Sequence, residues 1–156
     1  GGHERRMRSG TLPVQQIVGL AEACWLSQAN LKEESKRLIE LRRQLRAGLS
    51  AFVADIQFNG HESERLPGNL HVSIPGVNSD ALMMNMRDEL AVSSGSACTT
   101  LAPEPSHVLV AMGVEPSLIA SSLRFGIGRF NTPDEIERVV ELVAATVTRL
   151  RGLRVS

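Results

Sequence analysis

Charge of one sign is what this chain lacks first: 17 lysines and arginines are matched by 17 aspartates and glutamates. No net field draws in nucleic acid or an anionic membrane, so partners must be recognised locally. Long apolar runs are lacking too, none approaching the roughly 20 residues of a membrane span. The start, rich in glycine and arginine, does not have the make-up of a secretory signal. The two cysteines, Cys24 and Cys98, offer neither a metal-ligand spacing nor the density of a secreted disulfide scaffold. That argues for reduced thiols and a cytoplasmic setting. His3, His61, His71 and His107 have no partner three or four residues away, so no metal centre is expected. Internal repeats and low-complexity tracts are absent as well.

What is there suffices for a single domain: 156 residues, of which 42% are hydrophobic, can build a core. Residues 1–12 are glycine, basic and hydroxyl residues, suited either to a loop that meets an anion or to a solvated tail. A helix is expected from Pro13, with Val14, Ile17, Val18, Ala21, Cys24 and Trp25 as its core face. Cys24 reads there as a small buried hydrophobe and Trp25 as packing. A second helix after Asn30 sets Leu31, Leu38, Leu41, Leu45 and Leu49 against a charged face, with Gly48 weakening its last turn. Residues 59–68 read as a surface connection.

The run Asn69-Leu70-His71-Val72-Ser73-Ile74 alternates, predicting a strand with Leu70, Val72 and Ile74 inward and His71 on the other face. Asn78, Ser79 and Asp80 offer capping side chains to a helix that expires near Asp88. Leu90-Ala91-Val92 reads as a short strand, and Val108, Leu109 and Met112 mark a two-turn helix with His107 in its first turn, stopped by Gly113. Ser121 to Ile127 is a strand that projects Arg124 opposite Leu123 and Phe125. A final helix opens with Thr132 as N-cap and Glu135 closing a capping box. The order predicts an α/β or α+β fold, a short sheet of three or four strands covered by helices.

Two chemical features stand out. Ser93-Ser94-Gly95-Ser96-Ala97-Cys98-Thr99-Thr100 puts a thiol on a loop of small polar residues that cannot build a core. Such a thiol is a nucleophile only if its pKa, ordinarily about 8.5, is lowered; otherwise it is an inert exposed cysteine. Arg124 on its strand could hold a carboxylate through both arms of its guanidinium. The serines lack the strand-turn-helix setting of an acyl-transfer elbow, and Gly126-Ile127-Gly128 is too short to cradle a phosphate.

Three stretches together, residues 1–13, Ser93 to Cys98, and Ser122-Leu123-Arg124-Phe125-Gly126-Ile127-Gly128-Arg129-Phe130, make the chain resemble the C-terminal part of a NifS/IscS-type cysteine desulfurase. The resemblance runs over nearly the whole chain. It implies the small C-terminal domain of a pyridoxal-phosphate enzyme of the class V aminotransferase fold, active on L-cysteine and releasing alanine. By the same resemblance Cys98 is the nucleophile that carries the sulfur as a persulfide, and Arg124 binds the substrate's α-carboxylate. Thr11 hydrogen-bonds the cofactor phosphate of the other subunit of a homodimer, and Arg8 belongs to the same motif. Residues 1–12 are then a cofactor-phosphate loop at the junction with a pyridoxal-phosphate domain. Residues 13–156 are the small domain, carrying a mobile cysteine loop at 93–104. Anchored at both ends, such a loop moves a thiol on the order of 10 to 20 Å, enough to reach an iron–sulfur scaffold or another sulfur-acceptor protein.

The departures are as informative. The resemblance calls for a lysine that carries the cofactor, a histidine stacked on it and an aspartate at its pyridine nitrogen, all upstream of this chain's first residue. The lysines here are Lys32 and Lys36, on a charged helical face. Position 71, where the resemblance implies asparagine, is His71. The chain alone is therefore expected to be inactive. Two alternatives stay open: a stand-alone persulfide carrier or docking module, and a structural dimerisation domain.

Overall fold

A computed structural model describes residues 4–94 and 105–153. The chain divides into two compact units, Gly1–Glu34 and Ser35–Ser156. The first holds a 3-10 turn, Glu4–Arg6, and the beginning of α1, a helix running over Val14–Phe52. One helix thus replaces the two expected. Asn30, taken as a break, sits inside it with its amide donating to the Leu26 carbonyl at 2.8 Å, a back-bond within the helix that leaves the ladder intact.

The expected core face of this first stretch is also corrected. Val14, Ile17, Val18 and Trp25 are exposed, and so is Cys24. Within this unit only the residues before α1 accompany the helix, too little chain to cover it, so helical spacing alone did not make a buried face. Of the leucines expected to face the core in the second stretch, Leu41, Leu45 and Leu49 are buried, Leu38 is half-buried and Leu31 is exposed.

In the second unit, strands β1 (Gln57–Asn59), β2 (Asn69–Ser73), β3 (Ser93–Ser94) and β4 (Ser122–Gly126) form a sheet in the order β1-β2-β4-β3. Every pairing in it is antiparallel. Helices α2 (Ser79–Met86), α3 (His107–Ala111), α4 (Pro116–Ile119) and α5 (Pro133–Gly152) complete a mixed α/β architecture. One face of the sheet carries Leu70, Val72, Leu123 and Phe125 into a core shared with Leu45 and Leu49 of α1, Leu82 and Met86 of α2, and Val140, Val143 and Val147 of α5. Each such side chain contributes about 1.5–3 kcal/mol on full burial. At 2.6 Å from where a Gly48 Cβ would stand lies a methyl of Val140, so Gly48 admits α5 against α1 rather than merely weakening a turn.

The capping expectations hold. Asn78 accepts from the backbone of Asp80 and Ala81, and Thr132 and Glu135 close their box at the start of α5. Gly113 ends the short helix at φ 74°. Three details differ. β1 was not foreseen, and Asn59, assigned to the connection, belongs to it. α4 was not foreseen either. The strand expected at 90–92 forms instead at Ser93–Ser94, where the register reaches β4.

Two devices fix the C-terminal end of β4. The Ile127 amide donates to the Gly68 carbonyl at 2.7 Å, tying β4 to the lead into β2. Arg37 of α1 reaches the carbonyls of Gly128, Arg129 and Asn131, at 3.2, 2.5 and 2.8 Å, and so pins the turn that follows.

Candidate functional site

Arg124 is where sequence placed it: on β4, exposed, on the face opposite buried Leu123 and Phe125. The antiparallel registers set His71 of β2 on one side of it and Ser93 of β3 on the other, with Asn59 of β1 next beyond His71. Cross-strand partners share a face, so Asn59, His71, Arg124 and Ser93 form one polar row across the sheet. Among the described residues the Arg124 side chain takes no hydrogen bond or ion pair. Its donors are therefore available to an anion.

The rest of the row is held in place. The Asn59 amide nitrogen lies 2.9 Å from His71 Nδ1 and donates to Ser73 Oγ at 2.9 Å. The Arg65 guanidinium donates to the Asn59 carbonyl at 2.6 Å. Burial first, then the positive charges of Arg124 and Arg65, hold the His71 imidazole below the usual histidine range. A neutral ring that accepts at Nδ1 carries its proton on Nε2. That atom is buried and has no hydrogen-bond partner among the described residues.

Thr11 is exposed in the first unit, in the loop before α1. Beside it an open cleft of about 720 Å³ is lined by Glu4, Arg5, Met7, Arg8, Leu12, Pro13 and Ile17. Two guanidiniums there outweigh one carboxylate, a balance that favours an anion. Arg8 Nη1 donates to the Ser9 carbonyl at 2.6 Å, and Glu4 and Arg5 both take left-handed backbone conformations, at φ 52° and 54°. Cys98 and most of the loop expected at 93–104 lie outside the described residues; what is described is the approach, Ser93–Ser94, paired to β4 beside Arg124.

The family model for class V aminotransferases matches residues 2–139. The chain belongs to that family. Class V relatives named cysteine desulfurase IscS are 50% identical in Anaeromyxobacter sp. (strain Fw109-5) and 47% identical in Vesicomyosocius okutanii, each over 98% of this chain. A solved NifS-like protein from Rickettsia africae superposes with a TM-score of 0.81 at 28% identity, over 95% of this chain and 38% of that one. DndA from Streptomyces lividans matches with a TM-score of 0.59 at 34% identity, over 81% of this chain and 35% of its own. The chain spans 38% and 37% of the length of the two curated relatives.

Asn59 and Arg65, which brace the polar row around His71, were not singled out by sequence. The signal for Asn59 was present: Ile56-Gln57-Phe58-Asn59 alternates, and Phe58 turns towards α1 to meet the Arg46 guanidinium 4.3 Å from its ring centroid. No sequence pattern pointed to Arg65, whose position depends on the turn from β1 to β2.

Proposed function

We propose that this chain is the C-terminal part of a cysteine desulfurase, which takes sulfur from L-cysteine, yields L-alanine and holds the sulfur as a persulfide on Cys98. Relatives of that name, similar over 98% of the chain, support the reading. The observation that carries it is the exposed Arg124 guanidinium, unengaged among the described residues and cross-strand from Ser93 at the start of the segment that holds Cys98.

In this reading the Arg124 fork takes the substrate's α-carboxylate and so orients the amino acid on the polar face of the sheet. Burial of Leu123 and Phe125 on the opposite face keeps that fork from turning inward. Cys98, as thiolate, bonds to the substrate sulfur as the carbon–sulfur bond breaks; the pair of that bond stays on the carbon, which takes up a proton to become the methyl group of alanine, and the sulfur is left as a persulfide on Cys98. The acceptor is an iron–sulfur scaffold or an enzyme of thio-cofactor synthesis, and the parent protein works as a cytoplasmic homodimer.

The cofactor implied by the family is pyridoxal phosphate. The residues of this chain do not by themselves fit it. Thr11 and the arginines of the neighbouring cleft suit its phosphate, but Lys32 and Lys36 are exposed on α1 and belong to no such cleft. The lysine that would hold it is assigned to the rest of the parent protein, with Thr11 serving the phosphate across the dimer.

The test is to incubate the chain with a sulfur donor, with and without the cofactor-binding domain, and to weigh wild type against Cys98→Ala. A gain of one sulfur on wild type only when the domain is present is the expected result. Labelling without the domain makes the chain a persulfide carrier instead, and no labelling under either condition leaves a dimerisation domain. Steady alanine formation by this chain alone with pyridoxal phosphate and L-cysteine would overturn the assignment of the lysine.

A further inference from the structure

We infer that His71 is a second donor of the anion site built on Arg124, its Nε2–H completing the cradle for the carboxylate of an α-amino acid. The inference rests on the reading that Arg124 meets a carboxylate, and deepens it by naming the residue that shares the load.

Three observations converge on it. His71 and Arg124 are register partners on adjacent strands, so their Cβ atoms stand about 4.5–5.5 Å apart on one face. The ring cannot swing freely, because Nδ1 is engaged by Asn59, which is itself fixed by Ser73 and Arg65. And Nε2 is buried without a partner among the described residues, a state that structures rarely tolerate for a hydrogen-bonding group. Neighbouring guanidiniums cannot satisfy it, since they too are donors. An acceptor is what the place lacks, and a carboxylate brings two oxygens, enough for the Arg124 fork and one imidazole proton.

The geometry also explains why the ring serves as a donor without carrying charge. With Arg124 and Arg65 acting on it, a protonated imidazole would add a third cation to a site with no acid in the row. A neutral ring donates the same N–H at no such cost. Arg124 is exposed and stands across the ladder from the imidazole, so both donors can meet one carboxylate on this face.

The test titrates the 156-residue chain with L-alanine, which carries the carboxylate and cannot react, while nuclear magnetic resonance follows the His71 Nε2–H and Arg124 Nε–H signals. Alaninamide, without a carboxylate, is the control. Both signals should move with one dissociation constant for L-alanine and stay still for alaninamide. His71→Phe should weaken binding about tenfold, the worth of one hydrogen bond to a charged group. His71→Gln, whose amide can donate at a similar distance, should recover most of that loss. Melting curves separate these effects from unfolding, and if His71→Phe does not fold, the wild-type Nε2–H shift decides alone. Movement at Arg124 without movement at His71, or a His71→Phe variant that binds like wild type, would overturn the inference and leave Arg124 standing. No shift at either residue, or undiminished binding by Arg124→Gln, would instead refute the carboxylate reading of Arg124 and this inference with it.

Discussion

Gly68 offers a sharp test of how the sheet is held in register beneath Arg124. Its carbonyl accepts from Ile127 N–H at 2.7 Å, and a Cβ at Gly68 would stand 2.1 Å from the Ile127 oxygen and 3.2 Å from its carbon. The obstacle is backbone, which has no rotamer to change. Gly68→Ala must therefore push residue 127 away from residue 68, losing a hydrogen bond worth about 1 kcal/mol and straining the packing around buried Ile127 by about 1–3 kcal/mol. The expected total is about 2–4 kcal/mol, a large share of the roughly 5–15 kcal/mol of an ordinary domain. Gly126 is the control: it lies on β4 beside Ile127, yet a Cβ there meets nothing within 4 Å. Gly126→Ala should stay within about 0.5 kcal/mol of wild type. Urea unfolding of the three proteins, with amide exchange read at Ile127, measures both. The reasoning fails if Gly68→Ala is as stable as wild type, or if Gly126→Ala costs as much.

Further expectations follow from particular contacts. Gly48→Ala gains helix propensity of about 1 kcal/mol but meets Val140, so it should destabilise, and Val140→Ala in the same chain should recover part of the loss in a double-mutant cycle. Thr132→Ala should cost about 1 kcal/mol by opening the box that starts α5, measured by thermal unfolding. Glu135 is held below its usual 4.5, first by the Asn131 amide and then by the Thr132 backbone. Its contribution is present above that value and fades as pH falls through its folded pKa; Glu135→Gln should flatten this part of the stability curve. His71 is depressed in the folded protein, so the unfolded chain binds the proton more tightly, and stability should decline as pH falls below the usual 6.5. That decline should vanish in His71→Gln; if it persists, another group titrates there.

What sequence made legible was the chemistry that is local. Asn78 and the Thr132–Glu135 pair cap because their side chains reach backbone two or three residues away, and no distant contact decides it. The alternation of β2 and the outward Arg124 were legible for the same reason: period two assigns a face once a strand exists. Reading failed where tertiary surroundings decide. An amphipathic repeat says that a face is apolar, not that anything covers it, and the exposed Val14, Val18 and Trp25 show the difference. A second helix was expected after Asn30, yet the Asn30 side chain is satisfied inside one continuous helix. β3 is two residues long and has little pattern to recognise; it exists because β4 offers it an edge.

The row across the sheet joins these two kinds of information. Arg124 faces outward because Leu123 and Phe125, at 0% and 3% exposure, are committed to the core. A slip of one residue would bury the guanidinium and expose both hydrophobes, losing about 1.5–3 kcal/mol for each apolar side chain besides the cost of an unpaired buried charge. The register that protects the core therefore also sets which residues flank Arg124, namely His71 and Ser93. Neither neighbour can be deduced from the strand that bears Arg124. His71 looked like an unexplained departure in sequence because its meaning lies across the ladder, in a guanidinium more than fifty residues further along the chain. A site built this way tolerates a changed side chain at one position of the row, provided that the buried faces of β2 and β4 continue to hold the row in line.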